Sequence, residues 1–345
     1  MEKRRLYIYA LFLLVFAVLV YFQFRTWRNF DWPTFWSQHV NPIHLIHAIG
    51  YIYIGYAIRA IRWKIFLRPV RPRASVLKLV APTVIGFTGL ALLGRPGELI
   101  RPYLIARRED LSFSSQLGVW AVERIFDIGA FTVLLVLAVL FAKAPKRLAY
   151  YGGFREVGLA FTVLVIGLVT VAIIIRRNGL ALADWIERRF SHLSANLGHR
   201  IALRIREFHG GLDTIHSPWC LVQLIVVSVV MWCMIALSYK EVTIAYGEKL
   251  RIPQTQLLLL MGSSMVGSLI QLPGIGGGSQ LATITALQRW FDVPKELAAS
   301  CGIMLWLVTF VSVVPLGLLL AHLERLSFRK LSKESQIAEE STAAT

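Results

Sequence analysis

Apolar runs at residues 6–24, 42–61, 76–93, 117–142, 157–175, 220–239, 257–272 and 297–322 occupy most of the 345-residue chain. A helix needs about 20 apolar residues to cross the hydrocarbon core of a bilayer, and most of these runs reach that length. Soluble domains average roughly 45–50% apolar residues, against 56% here with a mean hydropathy of +0.60. Hydrocarbon also restricts secondary structure, because it satisfies no backbone N–H or C=O group and so admits only helices or closed barrels. Runs of this length fit helices, since a spanning strand needs only about 9–11 residues. The expected fold class is all-α, a polytopic helical membrane protein.

The net charge is +17, from 37 Lys and Arg against 20 Asp and Glu. In a soluble chain that balance would point to nucleic acid. Cytoplasmic loops of membrane proteins collect Lys and Arg for a different reason, and no nucleic-acid partner is expected. Met1-Glu2-Lys3-Arg4-Arg5 precedes the first run, and no small-residue cleavage site follows that run, so residues 6–24 read as an uncleaved helix with a cytoplasmic N-terminus. Trp27, Phe30, Trp32, Phe35 and Trp36 then read as an interfacial segment on the far side. The second run closes on Arg59, Arg62, Lys64, Arg68, Arg71, Arg73 and Lys78 with no acidic residue among them, the strongest inside signal in the chain. Residues 176–217 hold seven arginines among scattered apolar residues. They read first as an amphipathic segment on the cytoplasmic surface and second as a helical hairpin below the bundle. Arg325, Arg329, Lys330 and Lys333 put the C-terminus inside as well. Residues 1–325 then form a single membrane domain, with 326–345 a basic and then disordered tail.

Two stretches interrupt the pattern. Gly94-Arg95-Pro96-Gly97-Glu98-Leu99-Ile100-Arg101 packs charges and helix breakers straight after an apolar run; Gln271-Leu272-Pro273-Gly274-Ile275-Gly276-Gly277-Gly278-Ser279-Gln280 does so with glycines. Each break lies outside the membrane or lines a cavity within it. With Lys78 and residues 176–217 both inside, runs 117–142 and 157–175 already supply an even number of crossings, so 76–93 does not cross alone. Either it forms a re-entrant pair with 97–105, or that segment and its neighbours complete a second span. After 220–239 the same count sends 257–272 and 282–291 in and out through the outer face. The expectation is about six spanning helices plus two opposed re-entrant hairpins, an inverted-repeat-like core with a binding site near the midplane. It leaves Lys143, Lys146, Arg147 and Arg155 outside, against the charge rule.

Three groups of residues could carry chemistry. In the first break, Gly94, Pro96 and Gly97 are hinges, while Arg95, Glu98 and Arg101 could line a polar cavity. The free N–H groups of a first turn there would attract an anion; the plainer reading is a surface loop with a local salt bridge. The second group is Glu123, Arg124 and Asp127, early in run 117–142. A charge within a spanning helix costs roughly 2.5–3.5 kcal/mol, so all three need partners. Arg124 and Asp127 can pair along the helix, which leaves Glu123 for Arg95 or Arg101. The set is the wall of a headgroup-binding cavity, a buried ion-pair network that fixes the hairpin, or both. In the third group, Pro273, Gly274, Gly276 and Gly277 make a flexible break, flanked by the side chains of Gln271 and Gln280. No Gly-Lys-Ser/Thr follows it, as a phosphate loop would require. His44 and His47 share a helix face without a third ligand nearby in sequence, and Cys220, Cys233 and Cys301 have no C-x-x-C spacing. No metal, cofactor or set of catalytic residues is expected.

The order Gly94-Arg95-Pro96-Gly97-Glu98-Leu99-Ile100-Arg101, Glu123-Arg124-x-x-Asp127, Pro273-Gly274-x-Gly276-Gly277 resembles the lysylphosphatidylglycerol synthase transmembrane-region family, also called flippase-like membrane proteins. The resemblance covers about residues 6–325. It implies a membrane domain that moves a polar or charged lipid between leaflets, in a prokaryotic cytoplasmic membrane. Synthase members of the family add a soluble aminoacyl-transferring domain; this sequence stops about 20 residues after its last run, so aminoacyl transfer is not expected. Many members place a Glu shortly after the second glycine-rich break, where this chain has Ser279-Gln280. With less negative charge there, a phospholipid, a hopanoid-related lipid or a polyprenyl-linked lipid fits as well as a cationic aminoacyl lipid.

The leading functional expectation is a lipid transporter in which Arg95, Arg101 and Arg124 hold an anionic headgroup while Glu98, Glu123 and Asp127 set their geometry. The alternative is a membrane enzyme or accessory subunit of lipid or lipid-linked glycan biosynthesis, with Glu98 or Glu123 as general base. A membrane lipid is the expected partner, with a second copy of the chain or a lipid-biosynthesis enzyme as protein partner.

Overall fold

The computed structural model describes residues 30–140, 151–190, 217–268 and 276–326, together with 198–199, 201–203, 205–206, 271–272, 334–335 and 337. The first apolar run, residues 6–24, lies outside the described residues, as do Pro273 and Gly274. The fold is all-α. Its helices are α1 (Trp32–Trp36), α2 (Pro42–Leu67), α3 (Val76–Leu93), α4 (Ile100–Arg108), α5 (Phe113–Leu140), α6 (Tyr151–Phe190), α7 (Pro218–Ile244), α8 (Gln254–Gly267), α9 (Gly278–Phe291), α10 (Lys295–Trp306) and α11 (Val313–Leu323). Among the described residues, three stretches are long and apolar enough to cross a membrane: Val76–Leu93, Pro218–Ile244 and Lys295–Leu323. The chain is an integral membrane protein.

Side-chain caps and proline fix the helix starts. Asn41 accepts from the Ile43 N–H ahead of Pro42, and Ser217 accepts from the Cys220 N–H ahead of Pro218. Proline suits this position because its missing N–H would have no intrahelical partner. Phe30, Trp32, Phe35 and Trp36 form a chain of ring contacts with centroids 4.9–6.0 Å apart. That suits the interfacial role expected of this segment.

Helix α2 departs from expectation. The apolar run was expected to end near Ile61 and release Arg59 and Arg62 into a cytoplasmic loop, yet the helix continues to Leu67 with Trp63, Ile65, Phe66 and Leu67 buried. Arg62 is completely buried. The apolar spacing Ala60, Trp63, Leu67 keeps one face inside the bundle, and the arginines are carried in with it. α2 and α7 run antiparallel along their length, tied from Asn41 N–H to Ala245 O at one end (2.9 Å) to Arg68 Nη1 and Gln223 Oε1 at the other (2.7 Å).

The two sequence breaks each join helices that fold back on one another. Gly94, at φ +70°, ends α3; a 3-10 turn over Arg95–Leu99 leads into α4, which returns along α3. Lipid tails are as apolar as leucine, so close backbone approach at small residues holds membrane helices together. Here a Cβ on Gly89 would sit 2.6 Å from Ile100 Cδ1, and one on Gly97 would run into the Gly89 backbone. In the second break α8 ends at Gly267, short of the expected 272, and Gln271–Leu272 pair antiparallel with Gly276–Gly277. Gly277, at φ +120°, then starts α9. A Cβ on Gly267 would meet Ala282 Cβ at 2.7 Å, so this pair is equally tight. Between α10 and α11, residues Leu307–Val311 form a π-helical turn.

Of residues 176–217, those as far as Phe190 and a few beyond are described. α6 kinks at Asn178, where the backbone leaves helical geometry, and continues to Phe190. Arg206 then bonds Asp184 and Glu187 at 2.7 Å each, and His199 Nδ1 lies 2.8 Å from Glu187. Leu182 and Ile205 pack against the cluster that holds Trp63 and Phe66. Ala183 and Ala202 are fully buried. These described parts pack on one another and on the bundle.

Candidate functional site

Three helices carry polar residues at one level, between two apolar clusters. On α2 the order is Ile52 and Tyr56, then Arg59 and Arg62, then Trp63 and Phe66; on α5 it is Val119 and Val122, then Glu123 and Asp127, then Phe131 and Leu135. α7 adds Ser228 between Leu224 and Tyr239. Each helix therefore presents a polar interruption in register with its neighbours, and the interruptions meet.

Arg62 is the centre. Its side chain is 0% exposed and that of Glu123 1%. Arg62 Nη1 donates to Asp127 Oδ1 at 2.7 Å and to Ser228 Oγ at 2.9 Å, while Nη2 donates to Glu123. From α4, Arg101 binds Glu123 with both terminal nitrogens, a two-pronged contact in which Nη1 lies 3.1 Å from Oε1. The Arg101 guanidinium also lies over the rings of Trp63 (4.5 Å) and Phe87 (5.2 Å). Arg124 reaches both carboxylates, at 3.3 Å to Glu123 and 3.1 Å to Asp127. Arg59 stands 3.6 Å from Asp127 and 4.7 Å above the Phe87 ring. Four guanidinium groups thus share two carboxylates, a surplus of two positive charges (4 − 2) within the bundle.

A cavity of about 170 Å³ opens beside this network. Its walls are largely apolar, among them Ile52, Leu90, Ile235, Met261 and Phe310. Arg59 and Trp232 also line it, and their buried Nη1 and Nε1 donors have no hydrogen-bond partner among the described residues. A small crevice on the other side of Phe87 and Leu90 holds Glu98, Arg101 and Arg124. Since Phe87 and Leu90 line both spaces, α3 forms the partition between them. The π-helical turn contributes Thr309 and Phe310 to the cavity; such turns are frequent at functional sites.

The structure brings together Arg101, Glu123, Arg124 and Asp127 from the residues singled out by sequence. Arg124 pairs with Asp127 and Glu123 takes Arg101, as the spacing allowed. Arg95 does not reach Glu123: it binds Glu98 at 2.9 Å and donates to Ser268 O at 3.2 Å, joining the first break to the end of α8. Gly94, Pro96 and Gly97 make the turn, and Gly276 and Gly277 the short ladder. Gln280 does not line the cavity; its Oε1 accepts from the Gly277 N–H at 3.1 Å and caps α9. Gln271 pairs through its backbone with Gly277. Sequence reasoning missed Arg59, Arg62 and Ser228. The signal for the arginines was the 3–4-residue apolar spacing that continues through them from Tyr56 to Leu67.

Comparison with known proteins finds membrane-protein relatives. A 24%-identical relative, the UPF0104 membrane protein of Methanothermobacter thermautotrophicus, aligns over 329 residues, 92% of each chain. The glycosyltransferase AglD of Haloferax volcanii is 31% identical over 125 residues, 36% of this chain and 19% of that protein. No solved structure matches the chain. The profile of the lysylphosphatidylglycerol synthase TM region matches residues 8–317, and the chain belongs to that family.

Proposed function

We propose that the protein moves a lipid with an anionic, phosphate-bearing headgroup between the leaflets of a prokaryotic membrane. The observation that carries this reading is Arg59, 11% exposed and 3.6 Å from Asp127, whose Nη1 makes no hydrogen bond among the described residues and whose side chain lines a largely apolar cavity. Ionisable groups inside a membrane are costly and mark substrate pathways. A guanidinium presents planar, paired donors that match phosphate. With Arg59 counted, the network carries a surplus of two positive charges, which favours an anion entering the cavity, and the apolar walls suit an acyl or prenyl chain.

In this reading the two hairpins enter from opposite faces and their tips meet at Arg95 and Ser268, where the bond between them is observed at 3.2 Å. Phe87, with Arg59 on the cavity side and Arg101 on the crevice side, divides the path. Purified protein in liposomes should scramble fluorescent phosphatidylglycerol, and Arg59→Gln should slow it at least tenfold while folding normally. Wild-type protein that moves no offered lipid, or an Arg59→Gln variant as fast as wild type, would overturn the reading. The local likeness to a glycosyltransferase favours a second role, in lipid-linked glycan biosynthesis. Chemical conversion of a polyprenyl-phosphate sugar in the same liposomes, without its movement, would select that role.

A further inference from the structure

At the end of the bundle away from Arg68, α2 begins and α7 ends, and three ligand-type side chains converge there. His44 and His47 lie one turn apart on α2, and Glu241 reaches them from α7. His44 Nδ1 is 2.7 Å from Glu241 Oε2 and His47 Nδ1 is 3.6 Å from the same oxygen. One donor atom from each residue falls within 4.8 Å of the other two. The two imidazoles meet edge to face, with centroids 6.2 Å apart and planes at 89°.

We propose that His44, His47 and Glu241 form a binding site for a divalent transition-metal ion, zinc above all, that clamps α2 to α7. Zinc takes imidazole nitrogen and carboxylate oxygen at about 2.0–2.2 Å in tetrahedral geometry. Neighbouring ligand atoms in such a site lie about 3.3 Å apart, and the separations of 2.7 and 3.6 Å straddle that value. Imidazole selects zinc, copper or nickel over magnesium and calcium, which prefer oxygen. Three protein ligands leave a fourth position for water. His47 is 57% exposed, which gives the ion its way in, while Glu241 at 19% is held by the packed helices.

The plainer arrangement is a hydrogen-bonded pair of His44 and Glu241, which needs neither a metal nor His47. The test is designed around that difference. The full chain, purified in detergent with no polyhistidine tag, is dialysed against zinc and assayed by elemental mass spectrometry. Cobalt is substituted to read the coordination from its visible spectrum. One zinc per chain is expected, with a four-coordinate cobalt spectrum, and His47→Ala and Glu241→Gln should each weaken zinc binding at least tenfold. Zinc should raise the melting temperature of wild type and leave that of His47→Ala unchanged; His47 is exposed, so its loss removes no core packing. Zinc content in wild type no higher than in a His44→Ala/His47→Ala double variant, or a six-coordinate cobalt spectrum, would overturn the proposal. So would a His47→Ala variant that binds as tightly as wild type.

Discussion

Replacing Arg62 by methionine keeps much of the side-chain volume and removes the charge at the centre of the polar band. The variant loses the bonds to Asp127 Oδ1 (2.7 Å), Ser228 Oγ (2.9 Å) and Glu123, all inside the bundle. Removing one partner of a buried ion pair costs about 3–5 kcal/mol, because a carboxylate stays behind without compensation. Here neither carboxylate is abandoned, since Glu123 keeps Arg101 and Arg124, and Asp127 keeps Arg124 at 3.1 Å and Arg59 at 3.6 Å. The lower end, about 3 kcal/mol, is the expectation. At roughly 2–4 °C per kcal/mol, the melting temperature should fall by about 6–12 °C. Tryptophan fluorescence or heated size-exclusion chromatography in detergent would measure it. Arg95→Ala is the comparison: that side chain is 48% exposed and loses a pair with Glu98 like a surface salt bridge, worth about 0–1 kcal/mol, and one bond to Ser268 O. Adding Asp127→Asn to Arg62→Met should cost less than the two single losses summed, because the changes remove one shared interaction. If Arg62→Met melts within about 2 °C of wild type, or if Arg95→Ala is as damaging, the network does not hold the bundle.

Three further outcomes follow from local geometry. Gly97→Ala should destabilise the first hairpin by about 1–3 kcal/mol, because the added Cβ runs into the Gly89 backbone; a melting temperature equal to wild type would contradict the tight α3–α4 approach. Gln280→Ala should cost about 0.5–2 kcal/mol through the lost cap on the Gly277 N–H, with Gln280→Glu rescuing most of it, read as thermal stability. On α6 beyond its kink, hydrogen bonds from His199 and then Arg206 hold the Glu187 carboxyl below its ordinary range. A depressed carboxylate stabilises above its unfolded pKa and loses that contribution as pH falls through the folded value. Hydrogen-exchange protection in residues 184–206 should therefore be flat above about pH 5 and decline below it, and Glu187→Gln should remove the dependence.

Apolar run length was enough to read an all-α membrane fold, because hydrocarbon leaves the backbone few alternatives. The breaks at Gly94 and Gly277 were equally legible, since positive φ and a close return of the chain require glycine there. The spacing of Glu123, Arg124 and Asp127 correctly implied one pair along α5 and one carboxylate looking for a partner elsewhere. Misjudgement came where one residue type serves two purposes. Arg59 and Arg62 look, in one dimension, like Arg68 and Arg71: a cluster of positive charge at the end of an apolar run. Only the packing separates them, because α2 continues far enough to carry the first two into the bundle opposite α5, while Arg68 and Arg71 end exposed. Gln280 failed as a cavity residue for the opposite reason, its local backbone having first claim on its carbonyl oxygen.

The sequence by itself determined the membrane setting, the helices, the two breaks and the presence of charges that needed partners, because each follows from the chain's local chemistry and the solvent around it. Tertiary structure alone decided which charges met. Arg62 is distant in the chain from Glu123 and Asp127, as His44 is from Glu241, and each set comes together only where antiparallel helices bring particular turns to one level. That register is fixed by the packing of whole faces, information that no single stretch of sequence holds.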